Sequence, residues 1–148
     1  MKILLAIDDS KFSQAAAQAV LVRARLQDTD VRVLHVIDPA PVFVTGEMGV
    51  PIDDITALHE DRLKKAEQIV ARTAQVLRAA GLKVSTVVEE GDPKTKILDS
   101  AAAWHADLIV VGSHGRKGLE RFLLGSVSEA VARHASCSVE IVRIPAGS

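Results

Sequence analysis

Five short apolar runs alternate with stretches whose apolar residues recur every three or four positions, and this alternation limits the possible folds more than any single motif does. Residues 2–8, 31–37, 82–88, 107–111 and 138–144 read as strands. Helical spacing links Ala15, Ala16, Ala19, Val20, Val22 and Leu26, and a long second stripe over 55–80 carries Leu58, Ala66, Ile69, Val70, Val76, Leu77 and Ala80. A third helix runs through Ile97, Leu98, Ala101 and Ala102, and a short fourth through Val127, Ala130, Val131 and His134. The order βαβαβαβαβ predicts an α/β fold: one open parallel sheet of five strands, right-handed crossovers and helices on both faces. A length of 148 residues fits a single domain, 1–148. The strand order is expected to reverse between the runs at Lys2 and Asp107, and ligands of such sheets sit at that reversal, beyond the strands' carboxyl ends.

Local punctuation agrees with this reading. Ser10 or Ser13 can cap the first helix, Gly81 ends the long second one, and Asp92 before Pro93 starts the third. Alternating, β-branched residues place 82–88 at an outer position of the sheet. The charge run 60–65 reads as a solvated helix face, and Trp104 is expected to pack near the end of its helix. Residues 38–54 form a long connection rich in Pro and Gly, expected to be a flap beside the pocket or a partner surface.

Several function classes are excluded at this level. A formal charge of −1 provides no field for nucleic acid, and no run is long enough for a membrane span or a secretory core. The lone Cys137 gives no disulfide framework, which points to the cytoplasm, and it reads as a small core hydrophobe. His35, His59, His105 and His134 lack partners at metal spacing and read as core or rim residues.

The chemistry concentrates in 111–128. The run at 107–111 is apolar without alternation, as in a strand covered on both faces, and a glycine-rich basic stretch follows it. Gly112, Gly115, Gly118 and Gly125 allow positive φ or close backbone approach, and Ser126, Val127 and Ser128 open a helix whose free N–H groups point back at the loop. Hydroxyls of Ser126 and Ser128 can add donors, and Arg116, Lys117 and Arg121 supply positive charge. The alternative is that Ser126 and Glu129 form only a capping box. His114 lies inside the loop, where its ring or backbone can approach a phosphate. Asp8, at the end of the first strand, either accepts ribose hydroxyls, holds a metal such as Mg²⁺, or merely starts a turn.

The spacing Gly112-x2-Gly115-x9-Gly125-Ser126 resembles the nucleotide-binding pattern of the universal stress protein family. So do Ile7-Asp8-Asp9-Ser10, Leu34-His35-Val36 and Gly91-x-Pro93, so that the resemblance covers nearly the whole chain. It implies an adenine-nucleotide-alpha-hydrolase-like sheet of order 3-2-1-4-5, a homodimer through the last strands and bound ATP. It further implies that Ala6, Ile7, Asp8 and Val36 frame adenine and ribose while Gly112, Gly115, Gly125, Ser126, Val127 and Ser128 hold phosphates. The implied role is an ATP-dependent stress-response regulator acting through a protein partner; a weak or self-phosphorylating ATPase and a nucleotide-free dimerisation module are the alternatives. Ser136 and Ser138 stand where the family often has prolines. Glu140 interrupts the last strand, where a carboxylate at a dimer interface is costly unless paired, as with Arg143 of the partner subunit.

Overall fold

The computed structural model describes residues 1–24, 28–39, 52–115 and 123–144. Its elements alternate as read from the sequence: β1 (Lys2–Ala6), α1 (Lys11–Arg23), β2 (Asp30–Ile37), α2 (Ile52–Ala79), β3 (Lys83–Glu90), α3 (Pro93–Trp104), β4 (Leu108–Gly112), α4 (Ser126–His134) and β5 (Ser138–Val142). All strand pairs are parallel, in the order β3-β2-β1-β4-β5. β1 lies between β2 and β4, with Ala6 opposite both Leu34 and Val111. The reversal of strand order therefore falls between β1 and β4, where the sequence placed it.

Strand periodicity divides the core into two layers. Ile3, Leu5, Val31, Val33, Leu108 and Val110 pack with Ala16 and Val20 of α1 and Val70 and Leu77 of α2. Leu4, Ala6, Leu34, Val36, Ile109 and Val111 point the other way, onto Ile97 and Ala101 of α3 and Val131 of α4. Both faces of β1 and β4 are thus covered, which is why their sequences show no polar alternation.

At the amino end of the sheet, Trp104 closes α3 with Arg32 Cζ 4.5 Å and Lys2 Nζ 5.5 Å from its ring centroid. The backbone N–H of Lys2 donates to Asp107 Oδ2 at 2.7 Å, joining β1 to the start of β4. Cys137 packs against the second core layer, and its thiol pKa is raised by burial and by the nearby charge of Asp107. A thiol so shifted is a poor nucleophile, as its reading as a small hydrophobe requires.

Some boundaries and faces differ from expectation. β1 stops at Ala6 rather than residue 8 because the ladder passes to side chains: Ile7 N–H still donates to Leu34 O, but Ile7 O accepts from His35. β5 ends at Val142 rather than residue 144, and β3 runs on to Glu90. The long helix begins at Ile52, and its buried positions are Ala66, Val70, Ala74 and Leu77. Leu58 and Val76, read as part of that stripe, are 54% and 50% exposed. Val76 is one residue from Leu77 and so about 100° around the helix, while Leu58 lies in the half of α2 that precedes the first buried position. On α1 the buried set is Ser13, Ala16, Ala17 and Val20, with Val22 exposed. Most of the 38–54 connection, residues 40–51, lies outside the described residues, as does Leu26.

His105 follows α3 in the left-handed region, at φ 60° and ψ 47°, a conformation costly for a side chain with a Cβ. His105→Gly should therefore raise stability by about 0.5–1 kcal/mol, the relief of strain being partly offset by the freer unfolded glycine. Urea unfolding followed by circular dichroism checks the sign.

Candidate functional site

The turn after β1 is built by two serines and an aspartate. Ser10 caps α1 by accepting from Ser13 N–H at 3.2 Å. The Ser13 hydroxyl accepts from Asp8 N–H at 2.7 Å and donates to Asp8 Oδ1 at 2.9 Å, and Ser10 N–H donates to the same carboxylate oxygen at 2.9 Å. This fixes the Asp8 carboxylate at the carboxyl end of β1. Beside it, His35 Nδ1 lies 2.7 Å from Ile7 O. A carbonyl oxygen only accepts, so that nitrogen carries the proton.

The other wall comes from β4 and α4. Ser113 is 2% exposed, its N–H donates to Val142 O at 2.9 Å, and its carbonyl accepts from Gly125 N–H at 2.8 Å and from the Ser128 hydroxyl at 2.9 Å. The two ends of the glycine loop are thereby clamped together. Gly125 is the N-cap of α4, extended at φ −65° and ψ 157°, with no side-chain cap bond.

One alternative is ruled out here and one expectation is corrected. Ser126 is the first helical residue rather than the cap, so Ser126 and Glu129 do not form a capping box. The Ser128 hydroxyl turns inward to Ser113 O and Gly125 O and is buried, so it is not a donor to the loop's contents. Gly125 N–H is likewise spent on protein. The N–H groups of Ser126, Val127 and Ser128 precede the first intrahelical bond, Glu129 N–H to Gly125 O.

The glycines act through closeness rather than through left-handed backbone. Among the described glycines only Gly81 and Gly91 have positive φ. A Cβ on Gly112 would lie 2.8 Å from Phe12 Cβ and 2.9 Å from the Phe12 carbonyl carbon and oxygen, so this position lets α1 approach β4. On Gly125 it would lie 3.2 Å from Ser113 O and from His114 Cα, and on Gly115 3.1 Å from Asp8 Oδ2. The Asp8 turn and the glycine loop thus face each other directly.

Between them opens a cavity of about 1110 Å³ at the carboxyl ends of β1, β2 and β4. Ten of the eleven residues singled out from the sequence line it: Ala6, Ile7, Asp8, Val36, Gly112, Gly115, Gly125, Ser126, Val127 and Ser128. Arg116 lies outside the described residues, as do Lys117, Gly118 and Arg121. Sequence reasoning did not assign Leu34, Val111, Pro93 or Ile97, which add apolar wall, or Asp38, a second acid at the mouth. The shared period-2 face of Leu34, Val36 and Ala6 was the available signal for the first of these. His35 lines the cavity as a bonded rim residue, whereas His59, His105 and His134 do not line it.

Among the described residues no three His, Cys, Asp or Glu side chains group to hold a metal ion, and no helix is long and apolar enough to cross a membrane. A Mg²⁺ ion needs only one or two carboxylates when phosphates complete its shell, so Asp8 suits an ion delivered with a polyphosphate.

Residues 1–143 match the model of the universal stress protein family. The chain belongs to that family. Universal stress protein MJ0531 of Methanocaldococcus jannaschii is 35% identical over 145 residues, covering 97% of this chain and 82% of the relative. Among solved structures, hypothetical protein MJ0577 superposes with a TM-score of 0.84 at 28% identity, covering 97% of this chain and 96% of that one. A universal stress protein in complex with cAMP has a TM-score of 0.69 at 25% identity, with 96% of each chain covered. This universal stress protein therefore shares sequence, fold and strand order with relatives of which at least one holds a nucleotide.

Its last strand differs from expectation in one respect. Glu140 is paired within the chain: Arg23 at the end of α1 donates to Glu140 Oε1 through Nε at 2.6 Å and through Nη2. A lone carboxylate at β5 is thus not an obstacle to association through that strand.

Proposed function

We propose that this universal stress protein binds an adenine nucleotide, ATP, in the cavity between β1 and β4, and that occupancy is read by protein partners in a stress response. The observation that carries the proposal is the start of α4, where three N–H groups without a side-chain cap line a cavity floored by apolar strand ends. A helix N-terminus of this kind favours negative charge, and the apolar floor suits a planar base.

In this reading Ala6, Ile7 and Val36 frame the adenine, and Asp8 meets the ribose or a Mg²⁺ ion. The N–H groups of Ser126, Val127 and Ser128 hold phosphate together with Arg116, and Gly115 leaves the space it needs. Gly112 and Gly125 line the site chiefly by allowing the close packing behind it. The relative in complex with cAMP supports an adenine nucleotide as the class of ligand. The Arg23–Glu140 pair is compatible with a homodimer through β5, and a cytoplasmic location fits the lone cysteine.

The test is thermal unfolding with ATP. At a hundredfold excess over its dissociation constant, binding to the folded state alone adds about 2.7 kcal/mol, which for a chain of this size raises the midpoint by roughly 5–10 °C. A shift without phosphate release is the expected result. A shift with release above background assigns an ATPase instead, and no shift with ATP, AMP or cAMP overturns the nucleotide reading.

A further inference from the structure

β3 ends the sheet on one side, and among the described residues β2 is the only strand that pairs with it. The backbone groups of a strand alternate, one residue turning to one neighbour and the next to the other. Gly91 N–H, continuing β3, donates to Ile37 O of β2 at 2.9 Å, so the odd-numbered residues of β3 turn their backbone groups to β2. Val84, Thr86, Val88 and Glu90 therefore turn theirs outward. Arg78, exposed on the last turn of α2, agrees with this phase, since its Nη2 donates to Val84 O at 2.8 Å.

Exposed edges are usually blunted by proline, a bulge, shortness or charge along the strand. β3 is eight residues long, contains no proline and keeps an unbroken register with β2 from Lys83 to Glu90. Its charges stand at its two ends and differ in sign, Lys83 at the start and Glu89 and Glu90 at the finish. An in-register parallel copy would set like charges together, whereas an antiparallel copy sets opposite charges together. The side chains then select a register. Directly opposed residues must share a face of the sheet, and hydrogen-bonded pairs must both turn outward. Pairing Thr86 with Thr86 of the partner subunit meets both conditions. It sets Val84 against Val88 of the partner subunit on the face that carries α2, where both valines already pack on the core. It sets Lys83 against Glu89 of the partner subunit on the other face, the one to which Val87 points.

We propose that the outer edge of β3 pairs antiparallel with β3 of a second copy of this chain, about a twofold axis normal to the sheet at Thr86. The outward N–H and C=O groups supply the attraction, and the Lys83–Glu89 pairs on either side of the axis set direction and register. The contact is isologous and closes on itself. Two contacts within the chain compete with it. Arg78 occupies Val84 O, which the pairing needs, and Lys83 Nζ lies 3.6 Å from Asp28 Oδ1, both side chains being largely exposed. Such surface contacts are weak and release readily. One strand edge per copy makes a small interface, so the association is of the transient class. It lies at the edge of the sheet opposite β5 and does not depend on the proposed nucleotide site.

Disulfide trapping of the full chain tests the pairing. Thr86 is exposed, so Thr86→Cys should fold, and in the proposed register the two introduced thiols sit on Cα atoms about 5.5 Å apart, within the range a disulfide spans. Mild oxidation should give a covalent dimer in a yield that rises with protein concentration, joined through position 86 by peptide mass spectrometry. The wild type, whose only thiol is Cys137, is the control for trapping elsewhere, including at β5. Lys83→Cys alone should give roughly tenfold less dimer than Thr86→Cys, and a mixture of Lys83→Cys with Glu89→Cys should give the mixed dimer. In the Thr86→Cys chain, Lys83→Glu should lower the yield severalfold and adding Glu89→Lys should restore it, while Arg78→Ala should raise it by up to about tenfold. A Thr86→Cys yield no greater than that of the wild type or of Lys83→Cys overturns a second copy as the occupant of this edge. A yield indifferent both to charge reversal and to loss of Arg78 overturns it as well.

Discussion

Gly112→Val should abolish folding or cost more than about 3 kcal/mol, the upper end of what overpacking a core position costs. The missing Cβ would sit 2.8 Å from Phe12 Cβ and 2.9 Å from two backbone atoms of the same residue, in the first turn of α1. Side chains can turn aside; a helix backbone cannot without moving the helix. α1 is held to the sheet by Ala16, Ala17 and Val20 and to the Asp8 turn by Ser10 and Ser13, so displacing it by the necessary ångström disturbs both. Loss of far-ultraviolet dichroism, or a urea midpoint lowered by that amount, is the expected measurement. A Gly112→Val protein as stable as the wild type would show that α1 does not pack as described.

Gly115→Val should do the opposite, leaving the fold nearly intact and removing the stabilisation by ATP of about 2.7 kcal/mol at hundredfold excess. Gly115 is exposed, its φ is not positive, and among the described residues a Cβ would meet only Asp8 Oδ2, at 3.1 Å. The protein can accommodate that contact by a few tenths of an ångström. A ligand cannot, because the valine methyl groups would project between the Asp8 turn and the start of α4. The expected result is an unchanged melt without nucleotide, to within about 1 kcal/mol, and no shift when ATP is added. A full shift would place the nucleotide elsewhere, and an unfolded variant would make Gly115 architectural.

The contrast between these two glycines shows where the sequence stopped being informative. The alternation of elements, the outer place of β3, a serine cap on α1 and the start at Asp92 were legible because each depends on residues near one another in the chain, whereas the full strand order came from the family resemblance. Gly112, Gly115 and Gly125 look alike in one dimension, and only the neighbours brought by α1, β1 and Ser113 separate their roles. The capping-box alternative fails for a related reason. Ser126 and Glu129 have the right spacing, but the carbonyl of Ser113, folded back from β4, fixes Gly125 and takes the Ser128 hydroxyl. Glu140 looked unpaired because its partner Arg23 is 117 positions away. His105 gave no warning at all, since histidine is an ordinary helix residue until its φ is known.

The uneven burial of α2 has a mechanical consequence. Among its described side chains the first buried is Ala66, and the preceding turns are tied near the ends of β2 and β3 by Arg62 on Asp38 O and by His59 near Glu90. The described contacts that hold this half of the helix are polar rather than packed. Its polar tethers lie in water and resist weakly. The end of β2 is thereby linked to this half of α2 through exposed polar contacts rather than through the core.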